Sequence, residues 1–430
     1  MKNKSTKRLY SQAIDHSNDS NKRIKVSTHK PLKKQKVIQV STDTDHMLVL
    51  VQSGHVYSLG NNDYGQLGQG DLQMRDDPCL IDPAWFNHEK VIQVCASFRH
   101  STALTRSGSV YVWGIQDYDI GDNEQQTCSI RPKRIDSSHF HSDPVSKIEV
   151  SIDNSFFAIT RTNMVFSWGC AKNGRLSSGD EVYRPLPKVV DPLTYNNEIV
   201  KKISCGYSTT MLLTQGGNVY ASGFCTVYRD GFNNSTDVTL FCQIPRECFF
   251  HENVVDIQGL DNCFAITESG LVYKWGSESV PIVNMITQGD QNTQVLKAEH
   301  VFTSEKMSTM YEGSYHSLFV ARTGKVFCQG DNERGQLGLG HCDSVDTPSM
   351  VSSSHFDEEK VVSAGANRDA LGGYSYAVTR NGRLFVWGSF GRRYSCFPEE
   401  HWGDLFGSVP LDNKKYYNGN AFKDVTFEFQ

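Results

Sequence analysis

Short apolar runs separated by tight turns recur at a nearly fixed spacing along most of the chain. The segment Gly54–Gly60, which reads GHVYSLG, returns six more times with altered residues between its ends. The starts of successive copies lie 53 to 58 residues apart, a period that is typical of propellers and solenoids. The six further copies are Gly108–Gly114, Asn163–Gly169, Gly217–Gly223, Gly270–Gly276, Gly324–Gly330 and Gly382–Gly388.

Each unit carries signals for four short strands. A V-x-x-V run such as Val37–Val40 is followed by a loop and then by an apolar strand such as Met47–Val51. The turn Ser53-Gly54 joins that strand to the V-Y-x-x-G segment as a β-hairpin, because glycine permits the positive φ of such turns. A fourth strand follows a proline, as in Pro78–Ile81, where proline suits a strand start or an outer edge. Seven such units predict an all-β fold, a seven-bladed β-propeller over residues 37–430.

Other repeat folds fit the sequence less well. No strand closes on the Trp-Asp dipeptide of WD repeats, and the period exceeds that of the WD class. The paired glycines that mark kelch repeats do not recur. A β-helix needs much shorter repeats.

The end of the chain predicts how the ring closes. In Phe422–Gln430, the residues Val425, Phe427 and Phe429 alternate with polar residues as in a half-buried strand. Because propellers remove exposed sheet edges, we expect this segment to pair with the first unit, within residues 37–60. The run Val37–Val40 competes for the same position.

Composition fits a soluble globular protein with a separate basic arm. Apolar residues make up 38% of the 430 residues and charged residues 21%, and no apolar run approaches a membrane span. Residues 1–36 contain 11 Lys or Arg and 2 Asp or Glu, so their net charge is +9, whereas the remainder carries −14. The arm lacks apolar periodicity and is expected to be disordered.

The arm contains two basic clusters that resemble a bipartite nuclear import signal. Lys7 and Arg8 form the first cluster, and Lys22, Arg23 and Lys25 form the second. Basic patches also bind nucleic acid, so importin and DNA or chromatin are the partners that this arm predicts, and the nucleus is the predicted location. A solvated tail without any partner is the alternative.

The rest of the chain shows no chemistry of a conventional enzyme. The twelve cysteines form no CxxC pair and no zinc-like cluster, which fits reduced thiols in the cytosol or nucleus. No nucleophile–base motif or phosphate-binding loop is complete, so we expect no catalytic residues, no cofactor and no metal. Trp113, Trp168, Trp275 and Trp387 are expected to pack between blades.

Two segments resemble the repeat of the regulator of chromosome condensation family. Asn62–Gly70 reads NDYGQLGQG and Asn332–Gly340 reads NERGQLGLG, while Asn173–Asp180 is a partial copy. That family is a seven-bladed propeller whose founding members exchange guanine nucleotide on the GTPase Ran while bound to chromatin. The basic segment Lys22–Ser27 is similar to the arm that precedes the propeller in the chromatin-bound exchange factor.

The resemblance implies candidate contacts for a GTPase in the loops between the first two strands of each unit. Similar loops in the exchange factors supply Asp and His contacts, and a wedge follows a strand like Val110–Gly114. The candidates in this chain are Asp45, His46, Arg99, His100, Asn154, Asp261 and His316, with Asp117, Asp119 and Asp122 in the wedge position.

The function predicted from these features is guanine-nucleotide exchange on a Ran-like GTPase. The alternative is a non-catalytic propeller adaptor for chromatin, tubulin or ubiquitin-pathway proteins. Each candidate histidine also has a structural interpretation, a hydrogen bond to a neighbouring blade. Side chains that converge on one face favour exchange, whereas buried or scattered ones favour the adaptor.

Overall fold

The strands of the computed structural model form seven four-stranded antiparallel sheets, so the prediction of a seven-bladed propeller is confirmed. The structure describes residues 35–115, 128–223, 238–259, 262–276, 296–297, 305–313, 315–367, 373–390 and 393–400. Each sheet is one blade built from consecutive strands, named a to d from the centre of the ring outward. None of the helices in these residues is long and apolar enough to cross a membrane.

The first four blades lie between residues 37 and 244. Blade 1 contains β1 (Val37–Thr42), β2 (His46–Val51), β3 (Val56–Gly60) and β4 (Arg75–Leu80). Blade 2 contains β5 (Val91–Ser97), β6 (His100–Thr105), β7 (Val110–Ile115) and β8 (Cys128–Arg134). Blade 3 contains β9 (Val145–Val150), β10 (Ser155–Thr160), β11 (Val165–Gly169) and β12 (Arg184–Val189). Blade 4 contains β13 (Val200–Cys205), β14 (Thr209–Thr214), β15 (Val219–Gly223) and β16 (Val238–Ile244).

The last three blades follow the same order. Blade 5 contains β17 (Val254–Gly259), β18 (Asn262–Thr267), β19 (Val272–Gly276) and the short β20 (Leu296–Lys297). Blade 6 contains β21 (Met307–Glu312), β22 (His316–Ala321), β23 (Val326–Gly330) and β24 (Val345–Val351). Blade 7 contains β25 (Val361–Ala366), β26 (Tyr374–Thr379), β27 (Leu384–Phe390) and β28 (Arg393–Glu400).

Single turns of 3₁₀-helix connect several blades and add an aromatic ring to the packing between them. In the first of these turns the buried ring of Phe86 lies edge-on to Trp113 of the next blade, with ring centroids 6.0 Å apart. Trp113 itself is fully buried, as predicted for a residue that packs between blades. The turns are Pro83–Phe86, Ser137–Phe140, Pro192–Tyr195, Arg246–Phe249 and Ser353–Phe356, and a sixth, Lys172–Gly174, lies within blade 3.

The V-x-x-V runs form the inner strands, and a β-bulge explains their odd spacing. Strict alternation would place Val37 and Val40 on opposite faces of the sheet. The pairing of β1 with β2 shifts register between Val37 and Gln39, so an extra residue is inserted there. Both valines are therefore buried.

The fourth strands begin earlier than the prolines that predicted them. β4 starts at Arg75, three residues before Pro78, because the strand pairs with Gly60 through Arg75 before its register shifts. Pro78 falls within that shift, where no ladder hydrogen bond from its nitrogen is required.

The first and last blades close the ring directly. β1 contacts β25 and β26 of blade 7, and the Val37 amide donates to the Gly382 carbonyl at 3.0 Å. The Tyr376 hydroxyl donates to the Val40 carbonyl at 2.9 Å. All four strands of blade 1 come from residues 37–80, so Val37–Thr42 occupies the inner position. The strand predicted at 422–430 lies outside the described residues.

A residue with positive φ at each b–c turn packs against the start of the next blade. At Gly382 φ is +81°, and a Cβ added there would lie 2.5 Å from Cβ of Lys36, so glycine is required. Blade 3 uses Asn163 instead, at φ +70°, and its side-chain oxygen accepts a hydrogen bond from the Val200 amide at 3.0 Å. The packing between blades is therefore kept where asparagine replaces the glycine.

Replacing Gly382 with Ala is expected to weaken ring closure. The left-handed backbone and the clash with Lys36 together predict a loss of about 1–3 kcal/mol in the free energy of unfolding, measured by denaturant titration. Gly216→Ala is the matched control, because Gly216 lies in an equivalent turn and the nearest atom to an added Cβ is 3.4 Å away. Equal stability of the two variants would contradict this account of closure.

Candidate functional site

The antiparallel order of the strands divides the connecting segments between two faces of the ring. The loop face carries the a–b and c–d connections, which meet where the Asn61 amide donates to the Asp45 carbonyl at 2.9 Å. The turn face carries the b–c turns and the segments that lead into the next blade. The described a–b segments of the loop face include 43–45, 98–99, 151–154, 206–208 and 315. These are the loops in which the sequence places the candidate contacts.

His46 is buried in a hydrogen-bond network that joins blades 1 and 2. Its Nε2 lies 2.9 Å from Oγ of Ser101, which donates its single proton to the Gln66 carbonyl at 2.8 Å. The histidine Nε2–H is therefore the donor to Ser101. The indole of Trp113 donates to the same carbonyl at 2.8 Å. Gly68 makes room for this indole, because a Cβ there would lie 2.7 Å from its nitrogen.

The same network joins blades 6 and 7. Nε2 of His316 lies 2.8 Å from Oγ of Ser375, and that hydroxyl donates to the Gln336 carbonyl at 2.8 Å. The indole of Trp387 donates to this carbonyl at 2.8 Å. In both well-preserved G-Q-L-G segments, the Gln carbonyl thus accepts from a serine and a tryptophan of the next blade. The serine in turn binds the histidine of the first blade.

His100 and Asn154 are also enclosed by protein. His100 lies edge-on to Phe156 of blade 3, with ring centroids 5.4 Å apart, and 4% of its surface is exposed. The Ser97 hydroxyl of blade 2 donates to the Ser151 carbonyl of blade 3 at 2.7 Å and lies 3.3 Å from Oδ1 of Asn154, which ties blade 3 to blade 2. Both side chains therefore link neighbouring blades.

Burial keeps the three histidines neutral at physiological pH. It lowers the pKa of His46 to about 3, that of His100 to about 3 and that of His316 to about 4. Buried, neutral rings cannot reach a partner on the loop face. The prediction that His46, His100, Asn154 and His316 contact a GTPase directly does not fit their burial, and their structural interpretation does.

Other side chains of the same loops reach solvent. Asp45 exposes 39% of its side chain, and Tyr207 and Tyr315 expose 51% and 60% of their surfaces. The Arg99 guanidinium lies 4.2 Å from the ring centre of Tyr64 in blade 1 and 4.6 Å from that of Phe98. These rings hold the cation in place at the rim between blades 1 and 2.

Sequence reasoning missed a buried ion pair in blade 3. Arg175 occupies the position of Gln66 in the partial copy, and it is 3% exposed. Its guanidinium donates to Asp153 at 2.8 Å and to the Tyr207 carbonyl at 2.6 Å, so it joins blades 3 and 4. The substitution of Arg for Gln within NGRLSSG was the available signal.

Several predicted site residues lie outside the described residues. These are the loop candidates Asp117, Asp119, Asp122 and Asp261, and the arm residues Lys7, Arg8, Lys22, Arg23 and Lys25. Within the part of the chain that the structure describes, no group of three or more His, Cys, Asp or Glu residues is placed to hold a metal.

Comparison with known families identifies the repeat. The RCC1-like domain pattern matches residues 83–396, and the Regulator of chromosome condensation (RCC1) repeat matches residues 53–104. The chain is 28% identical over 382 residues to the Regulator of chromosome condensation of Xenopus laevis, covering 83% of this chain and 84% of that protein.

Other relatives share the propeller in different settings. The chain is 24% identical over 335 residues to the E3 ubiquitin-protein ligase HERC2 of Mus musculus, an alignment that covers 76% of this chain but 7% of that protein. The crystal structure of Prp20p from Saccharomyces cerevisiae superimposes with a TM-score of 0.64 and 20% identity, over 79% of this chain and 82% of Prp20p. The same yeast protein with Kap60 bound gives a TM-score of 0.62, 22% identity and coverage of 76% and 78%.

The buried histidines predict a loss of stability at acid pH. The pKa of His316 is about 4 in the folded state and near 6.5 when the chain is unfolded, so only the unfolded state binds the proton between these values. The contribution of His316 to the free energy of unfolding is therefore constant above pH 6.5 and falls by about 1.4 kcal/mol per pH unit between pH 6.5 and pH 4. Between pH 7 and pH 5 the unmodified chain should lose about 2 kcal/mol more than His316→Gln.

Urea titrations at several pH values test this expectation. The control is His88→Asn, because His88 is exposed and Asn tolerates its φ of +59°. The control should keep the pH dependence of the unmodified chain. Parallel curves for the unmodified chain and His316→Gln would show that this histidine is not held neutral.

Proposed function

From the premise that the chain belongs to the family of RCC1-like domains, we propose that its loop face binds a Ran-like small GTPase and accelerates release of the bound guanine nucleotide. Two relatives support the proposal. The Xenopus laevis relative is a Regulator of chromosome condensation, and the structure of Prp20p was described with its binding properties to Gsp1p and histones. The share of the HERC2 sequence that the chain matches is too small to transfer that protein's activity.

The observation that carries the proposal is the contrast between buried and exposed side chains in the same loops. His46, His100 and His316 fasten the loops to neighbouring blades, while Asp45, Arg99 and Tyr315 project from them. Side chains held in place before binding lose little conformational entropy when a partner docks. An acid, a base and an exposed aromatic ring on one rigid face provide both charge recognition and apolar contact.

Exchange requires a large binding surface. A GTPase that holds nucleotide with nanomolar to picomolar affinity gives up about 12–16 kcal/mol when the nucleotide leaves. The factor must offset much of this by binding the nucleotide-free form, which takes an interface of roughly 800 Å² per partner. By linkage, the factor and the nucleotide weaken each other's binding to the GTPase by the same factor. Tight binding is therefore expected only without nucleotide.

The second candidate function is the non-catalytic adaptor. It is favoured by the burial of the three histidines that the family resemblance had assigned to the GTPase. An adaptor uses the same exposed loops but binds its partner without regard to nucleotide. The dependence of binding on nucleotide therefore separates the two functions.

Replacing Arg99 and Tyr315 together with Ala is expected to slow catalysed release of labelled GDP from Ran. Because central interface residues contribute most of the binding energy, the catalysed rate should fall about 10-fold to 100-fold. Arg106→Ala is the matched control, since Arg106 is exposed on the opposite, turn face. Circular dichroism should show that all variants remain folded.

The outcome that contradicts exchange is specific. If micromolar unmodified protein fails to accelerate GDP release, exchange is rejected. If the protein binds nucleotide-bound and nucleotide-free Ran equally well, the adaptor is the better description.

We also propose nuclear import through importin and attachment to DNA in chromatin, both through residues 1–36. The Kap60 complex of the yeast protein supports the first of these. The arm leads into β1 on the turn face, because the Gln52 amide of the b–c turn donates to the Lys36 carbonyl at 2.8 Å. This face carries exposed basic residues around the ring, namely Lys36, Lys90, Arg106, Arg161, Lys306, Arg322, Lys360 and Arg380.

Two acidic residues of the turn face are engaged within their own blades. Glu89 accepts from the Thr105 hydroxyl at 2.7 Å, and Glu305 accepts from the Thr323 hydroxyl at 2.9 Å. Other acidic side chains of this face, such as Glu268, Asp357 and Glu358, are exposed, so cations and carboxylates alternate around the ring. The cations that lie nearest the arm, Lys36, Arg106 and Arg380, are the ones suited to contact phosphates.

Binding to DNA is expected to depend steeply on salt and weakly on sequence. If six to ten cations meet phosphates, the affinity should fall by roughly 10³–10⁵ between 50 and 200 mM salt. Replacing Arg106 and Arg380 with Ala should lower the slope of log affinity against log salt by about 1 for each phosphate that the variant no longer binds. Fluorescence anisotropy with unrelated duplexes measures both effects. Unchanged affinity after removal of residues 1–36 would contradict the role of the arm.

A further inference from the structure

Two cysteines from different blades lie side by side on the outer rim of the ring. The sulfur atoms of Cys342 and Cys396 are 3.5 Å apart, although 54 residues separate them in the sequence. Cys342 belongs to the c–d segment 331–344 of blade 6 and is exposed, and Cys396 lies in β28 of blade 7 and is half-buried. Oxidants in solution can therefore reach this pair.

The backbone of the repeat brings the two sulfur atoms together. The Gly340 amide donates to the Cys396 carbonyl at 2.9 Å, so the c–d segment of blade 6 is fixed against the outer strand of blade 7. The same bond joins Gly70 to Ile130 at 2.8 Å between blades 1 and 2. The residue two positions after the glycine is Leu72 in the earlier copy and Cys342 in the later one.

This internal comparison shows that the thiols are not needed for the fold. The equivalent positions hold Leu72 and Ile130 between blades 1 and 2, and Glu181 and Thr239 between blades 3 and 4, where the Gly179 amide donates to the Thr239 carbonyl at 2.8 Å. An apolar pair and a polar pair thus occupy the same place while the backbone hydrogen bond is kept. Cys342 and Cys396 add a chemistry that the other copies lack.

We propose that Cys342 and Cys396 form a modification site, a dithiol that is oxidised by hydroperoxides to a disulfide between blades 6 and 7. The exposed sulfur of Cys342, as thiolate, attacks one peroxide oxygen, the O–O bond breaks and a sulfenic acid forms. The sulfur of Cys396 then attacks the sulfenic sulfur, the S–S bond forms and water leaves. Two electrons pass from the sulfur atoms to the peroxide, and the two thiol protons end in the water and the alcohol, or in two waters with hydrogen peroxide.

Little movement separates the two states. A disulfide requires sulfur atoms about 2.05 Å apart, so the pair must approach by about 1.5 Å. Rotation of the exposed Cys342 side chain provides such a shift while the Gly340–Cys396 backbone bond stays in place. The cross-link fastens the loop-face segment of blade 6 to the blade that closes the ring. It stabilises the fold mainly by restricting the unfolded chain.

The experiment treats the full chain with hydrogen peroxide, blocks remaining thiols and maps tryptic peptides without reduction. Cleavage after Lys and Arg places Cys342 in residues 335–360 and Cys396 in residues 394–414, each as the single cysteine of its peptide. The expected product is the joined pair of these peptides, which thioredoxin or another dithiol reductant separates again. The oxidised chain should melt about 3–5 °C higher than the reduced chain.

Five variants make the test specific. Cys342→Ser and Cys396→Ser should each abolish both the joined peptide and the rise in melting temperature. Cys128→Ser and Cys242→Ser remove exposed cysteines of other blades and should change neither result. Since Leu72 and Ile130 occupy the equivalent positions, the double variant Cys342→Leu with Cys396→Ile keeps the fold testable if serine disturbs it. Recovery of the two cysteines only as sulfinic acids, or joined to other cysteines, would overturn the proposal.

Discussion

The ring depends on the contact between the b–c turn residue of each blade and the start of the first strand of the next blade. Glycine fills this position in six blades and Asn163 fills it in the third, each with positive φ. A side chain at Gly382 would collide with Lys36, where the last blade meets the first. Because every interface repeats this contact, a side chain at one of the glycine turns would strain the packing between two blades and weaken closure of the ring.

A second set of contacts makes the loop face of the ring rigid. The His–Ser hydrogen bonds and the shared Gln carbonyl occur at two of the interfaces, and the hydrogen bond from Arg175 to the Tyr207 carbonyl serves a third. These buried groups fix the loops from below. The half-buried Asp45 and Arg99 and the exposed Tyr207 and Tyr315 are thereby presented in a defined arrangement, which is what recognition of a protein partner requires.

The sequence predicts the fold well because its signals are local and repeated. The turn glycines and the V-Y-x-x-G strands are each visible within ten residues, and seven copies support one another. The roles of the candidate residues were harder to predict, because burial depends on the neighbouring blade. His46 precedes its partner Ser101 by 55 residues, so no local sequence pattern shows that the imidazole of His46 is buried. The hydrogen bond from Arg175 to the Tyr207 carbonyl of the next blade is not visible in the local sequence for the same reason.

The central claim is that the loop face, and not the turn face, receives the GTPase. Hydrogen–deuterium exchange of the chain with and without nucleotide-free Ran tests it most directly, because the two faces fall in different peptides. The account predicts protection of the segments 43–45, 98–99 and 206–208, and of Tyr315, with little change at the turns 52–55, 106–109 and 380–383. Protection confined to those turns, or no protection on either face, would contradict it.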